Sequence, residues 1–111
     1  MKTELKEFKN TEGLEIIDTS LLHEAINKWG VDAQVEMIIE ECLELAMALQ
    51  KLKRNRGNRE EKILAVIDEI ADVRIIIEQA IIIFGDPNKK IHERIDFKMN
   101  RLKERLNDSH H

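Results

Sequence analysis

The chain has no tyrosine, one tryptophan, one proline, one cysteine and four glycines. Each shortage removes a class of reading. Cys42 alone allows no internal disulfide framework and fits a reducing, cytoplasmic setting. Its apolar neighbours point to a buried structural thiol rather than a nucleophile. Three phenylalanines and Trp29 make no aromatic platform, no basic stripe runs between them, and the formal net charge is −4. That combination argues against a partner that is a nucleic-acid polymer. The longest apolar run, Ile75–Phe84, is interrupted by Glu78 and Gln79 and is too short to span a bilayer. Met1-Lys2-Thr3-Glu4 has no apolar segment behind it, so neither a signal peptide nor a membrane partner is expected.

What the chain does have is helix-forming material. Hydrophobic residues make up 42% and charged residues 36% of its 111 positions. Leu, Ile, Ala, Glu and Lys dominate, which fits one all-α domain. Its core is expected at about 18–106, with residues 1–17 as an N-terminal arm and 107–111 as a tail. Ser109-His110-His111 reads as a tag remnant. Asp18-Thr19-Ser20 offer caps for a first helix that carries Leu21, Leu22, Ala25, Ile26 and Trp29 and stops at Gly30. Asp32 can cap a second helix running to about residue 56. Asn55-Arg56-Gly57-Asn58 is a turn cluster, and Asn58 with Glu61 forms a loose capping box for a third helix over 59–84. Gly85 ends it, and Asp86-Pro87 supplies a cap and a first-turn proline for a fourth. Ile91, Ile95, Met99, Leu102 and Leu106 give that last helix a single apolar stripe.

The third helix is apolar on every side, from Ile63, Leu64, Val66 and Ile67 through to Ile81, Ile82 and Ile83. Such a helix is enclosed by others. Four helices in so short a chain can hardly cover it, so the expected architecture is a four-helix-bundle-type protomer with a long central hairpin (about 32–56 and 59–84) that assembles as a homodimer or homotetramer.

Both arms of the hairpin carry acids at i, i+1 and i+4: Glu40, Glu41 and Glu44, then Asp68, Glu69 and Asp72. At 100° per residue each set falls within about 100° of arc. If the chain reverses near Gly57, residues whose numbers sum to about 113 share a level. Glu44 then faces Glu69, and Glu41 faces Asp72. Like charges ~5 Å apart repel by about 3 kcal/mol at an effective dielectric of 20. Four such groups need protons, water or a bound cation, and the cation is the reading taken. Solvated surface acids are the plain alternative. It is weakened because the i+4 neighbours of these acids are Leu45, Ala48, Val73 and Ile76 rather than lysine or arginine.

Towards the bend, the same faces carry Lys51, Asn55 and Lys62. Acids deep in the hairpin and lysines at its mouth suit a metal–polyphosphate ligand, although tip lysines are as often merely solvated. Di-iron bundles use Glu-x-x-His pairs. Here the pairs are Glu41-x-x-Glu44 and Glu69-x-x-Asp72, and His23 and His92 lie on other helices. All-oxygen ligation favours Mg²⁺, with Mn²⁺ possible, over iron or zinc.

Glu40-Glu41-x-x-Glu44, 24 intervening residues and Glu69-x-x-Asp72 resemble the signature of MazG-like nucleotide pyrophosphohydrolases. These belong to the all-α NTP pyrophosphatase superfamily, which also holds the dimeric dUTPases. Trp29-Gly30-x-Asp32-x-Gln34 and Ile70-Ala71-Asp72-Val73 resemble its compact single-domain members, and Arg74 departs from their pattern. The resemblance covers about residues 20–106. It implies hydrolysis of a nucleoside triphosphate, in particular a deoxynucleoside triphosphate, to the monophosphate and pyrophosphate, in nucleotide-pool house-cleaning. It makes Glu41, Glu44, Glu69 and Asp72 the Mg²⁺ ligands and Glu40 a catalytic, water-orienting acid. Lys51, Asn55 and Lys62, with Lys98 and Arg101 on the fourth helix, become substrate-binding candidates. Trp29 is either a base-stacking ring or core, and Lys98 and Arg101 are either phosphate contacts or a solvated face. The competing expectation is a non-catalytic, oligomeric helical interaction module whose acids form a docking surface.

Overall fold

The computed structural model describes residues 16–54 and 56–108. Among them are four α-helices and no strand: α1 (Thr19–Trp29), α2 (Val31–Arg54), α3 (Arg59–Phe84) and α4 (Lys90–Asp108), with one 3-10 turn, Pro87–Lys89, before α4. The chain is all-α, as its composition requires. The arm at 1–15, Asn55 and the tail beyond Asp108 lie outside the described residues.

Local chemistry sets most of the boundaries. The Asp18 carboxylate accepts hydrogen bonds from the Ser20 backbone N–H (3.0 Å) and from the Ser20 hydroxyl. This caps α1, and the hydroxyl contact above all holds the Asp18 carboxyl below its ordinary value. Gly30 and Gly85 close α1 and α3 by donating their N–H groups to the carbonyls of Ile26 and Ile81, at 2.8 and 2.7 Å. Asn58 accepts from the Glu61 N–H at 3.2 Å, which caps α3 where expected. Two starts differ from expectation. Asp32 lies inside the first turn of α2, where it favours the positive end of the helix dipole, rather than at its cap. Pro87 opens the 3-10 turn instead of α4. Asn88 and Lys89 take positive φ, so α4 begins only at Lys90, and Asp86 caps it by accepting from the Ile91 N–H at 2.7 Å.

α2 and α3 form the hairpin. Gly57 bends it with φ +74, a backbone state in which a side chain is strained. The register is fixed by a buried pair: the Gln79 amide donates to the Gln34 side-chain oxygen at 2.5 Å. Their numbers sum to 113, the pairing expected for a reversal at Gly57. α1 packs across both arms.

Enclosure is the expectation that one chain does not fulfil. Only Val66 and Ile76 among the described apolar residues are buried, while Ile39, Leu43, Met47, Leu64, Ile67 and Ile70 are exposed. Cys42 lies on the open outer face of α2 and is exposed, not a buried thiol. α4 touches the 3-10 turn but packs against none of the other three helices. The radius of gyration is 17.3 Å, where a compact chain of about 100 residues has about 13 Å. No helix among the described residues is long and apolar enough to cross a membrane.

Candidate metal centre

With the register fixed, the acids of the two arms meet. Glu41 of α2 and Glu69 and Asp72 of α3 each bring one carboxylate oxygen into a group whose members all lie within 4.8 Å of one another. All three residues are half-buried. They share the hairpin's inner face with the residues that zip the arms together. One oxygen, Glu69 Oε2, is buried with no hydrogen-bond partner. A buried carboxylate oxygen without a partner is costly.

The electrostatics follow. Partial desolvation, then the charges of Asp72 and Glu69, raise the Glu41 carboxyl above its ordinary value. Desolvation, then Asp72, Glu44 and Asp68, raise that of Glu69. Both effects penalise the charged form. No ion pair relieves them, since the salt bridge found among the described residues is Lys90–Glu93, far along the chain on α4. An unneutralised all-oxygen cluster with one orphaned acceptor has the donor chemistry of a hard divalent cation site.

Glu44 stands one turn from Glu41, outside the close trio. It lines a pocket of about 130 Å³ towards the bend, together with Met47, Ala48, Lys51, Lys62, Ala65 and Glu69. Four of the residues singled out in the sequence therefore share one cavity: Glu44 and Glu69 at its inner end, Lys51 and Lys62 at its mouth. The lysines close no ion pair with either acid. Their ammonium groups are left for another anion.

The remaining candidates are not gathered here. Glu40 is exposed, one residue and about 100° round the helix from Glu41. Asn55 falls outside the described residues. Trp29 is 58% exposed at the end of α1, so it is not core, and the Lys28 ammonium sits 5.5 Å over its ring. Between Trp29 and the acids lie about ten residues of α2, roughly 15 Å of helix. Lys98 and Arg101 belong to α4, which one chain does not fold back onto the hairpin. Gln34 and Gln79 were missed as a pair, although their sum of 113 was the available signal.

The larger cavity is elsewhere. About 380 Å³ between α1 and α3 is lined by Ile16, Ile17, Leu21, Leu22, Ile75 and the side chain of Arg74. It is apolar, its acid Asp18 is engaged in capping, and Arg74 turns there rather than to the acid cluster. Chemistry that needs several convergent carboxylates belongs to the smaller pocket. Compared with protein-family models, characterised proteins and solved structures, the chain matches none.

Proposed function

We propose that this chain is a MazG-like, Mg²⁺-dependent nucleoside triphosphate pyrophosphohydrolase that converts a nucleoside triphosphate, in particular a deoxy form, and water into the monophosphate and pyrophosphate. The observation that carries the reading is the hairpin pocket: converging carboxylates with an orphaned Glu69 oxygen at one end and two unpaired lysines at the other. Carboxylates alone fit a cation. Carboxylates followed one to two turns later by free ammonium groups fit a cation carrying an extended anion.

Glu41, Glu69 and Asp72, joined by Glu44, would hold Mg²⁺ or Mn²⁺. An ion held there would supply positive charge against the phosphates and make the attacking water more acidic. The chain's own groups do the rest. Lys51 and Lys62 bind the outer phosphates and set the triphosphate along the hairpin. Glu40 orients the attacking water and accepts its proton on a carboxylate oxygen. The water oxygen bonds to the α-phosphorus, the bond to the α–β bridging oxygen breaks, and pyrophosphate leaves with that electron pair. Trp29 is assigned to the base; Lys98 and Arg101, on a helix that packs against neither arm of the hairpin, are given no role in the pocket.

The active form is proposed to be a homodimer or homotetramer, because so much of the apolar surface of α2, α3 and α4 is uncovered in one chain. The test is pyrophosphate release from a panel of nucleoside and deoxynucleoside triphosphates, with and without Mg²⁺. Metal-dependent release that falls at least 100-fold in Glu41→Gln and Asp72→Asn supports the reading. No release, with no effect of millimolar Mg²⁺ or Mn²⁺ on the melting temperature, would favour the acids as a docking surface for a basic partner.

A further inference from the structure

Helix α4 is the least explained element of the fold. It is 19 residues long, and helices in proteins draw most of their stability from tertiary packing of an amphipathic face. Yet it packs against none of the other helices. Its sequence is that of a docked helix. Ile91, Ile95, Met99 and Leu102 fall within about 80° of arc and are all exposed. One edge of this stripe is basic: Arg94, Lys98, Arg101 and Arg105 recur at four, three and four residues, all exposed.

A matching surface exists on α2. Its outer face, turned away from α3, exposes Ile39 and Leu43, at 48% and 58%. Asp32 and Glu36 share that face and are exposed too. Residues 31–50 contain Asp32, Glu36, Glu40, Glu41 and Glu44 and no lysine or arginine. An apolar stripe with a basic edge thus has an apolar stripe with carboxylates as its complement, at comparable length. Their own chain does not bring the two together, because the Gly85–Lys89 connection carries α4 away from the hairpin.

We propose that α4 of one copy docks on the outer face of α2 of a second copy, reciprocally. The apolar stripes face each other, and the Arg94–Arg105 edge lies along Asp32 and Glu36. The interface gives α4 the tertiary packing that one chain withholds, and it covers the open flank of the hairpin. Charge sets the orientation and selects α2 over the more weakly acidic outer side of α3. The inference stands on the two surfaces and does not depend on the hydrolase reading.

Two charge-reversed proteins test it, by sedimentation equilibrium on the full chain. One carries Arg94→Glu with Arg105→Glu; the other carries Asp32→Lys with Glu36→Lys. The wild-type chain is expected to self-associate, and each variant alone to weaken association at least tenfold, since like charges then meet. Mixed one to one, the two variants are expected to recover a hetero-oligomer, because both reciprocal contacts again pair opposite charges. Leu102→Asp, in the stripe itself, is expected to weaken association without rescue by either partner. A wild-type monomer at all concentrations would overturn the proposal. So would variants that associate as the wild type does, or a mixture that stays as dissociated as its components.

Discussion

Glu69 carries the sharpest consequences at the scale of single residues. Its carboxyl is raised by desolvation and by Asp72, Glu44 and Asp68, and one of its oxygens has no partner. Glu41 is raised in the same way. A raised carboxyl means that the folded state holds its proton to higher pH than the unfolded chain does. The stabilisation from these two groups is therefore complete below the ordinary glutamate range near 4.5 and is lost as pH climbs through their folded values. The metal-free protein is expected to lose thermal stability across that window, followed by melting temperature against pH. Glu69→Gln should flatten the slope, raise the metal-free melting temperature at neutral pH and abolish any gain on adding Mg²⁺. The acid positions and their pairing were legible in the sequence, because helical period and one turn fix both. The orphaned oxygen was not, since it depends on side-chain torsions that no spacing encodes.

At the scale of elements, the hairpin is held in register by the Gln34–Gln79 hydrogen bond. Gln34→Ala leaves the Gln79 amide buried and unpaired, a cost of about 1–3 kcal/mol by denaturant unfolding. Replacing both with leucine should cost much less, because neither partner is then stranded. At the bend, Gly57→Ala forces a side chain into φ +74 and should cost about 1–2 kcal/mol. The helix ends were readable where a cap or glycine makes the boundary locally, as at Asp18, Gly30, Asn58 and Gly85. Reading failed at the start of α4, where Asp86-Pro87 carries the usual signal but positive φ at Asn88 and Lys89 delays the helix to Lys90. It failed at Cys42 as well. Apolar neighbours in sequence suggested a buried thiol, but the residue lies on a face that one chain leaves open.

Across the whole molecule, the same open faces give the sequence its clearest message. A helix apolar all round promised more packing surface than four helices can satisfy, and the single chain leaves much of it uncovered. The inner face of the hairpin is the exception. It is closed by Val66, Ile76 and the glutamine pair, and there the acids are held together against their mutual repulsion. A cation that offsets this repulsion should bind the folded hairpin and not the unfolded chain. The direct measurement is a calorimetric titration of Mg²⁺, with Mn²⁺ as a second probe, into metal-free protein at pH 8. Saturable binding to the wild type, lost in Asp72→Asn and in Glu69→Gln while helical circular dichroism is unchanged, is the predicted result. Isotherms that are the same for wild type and both variants would contradict the account.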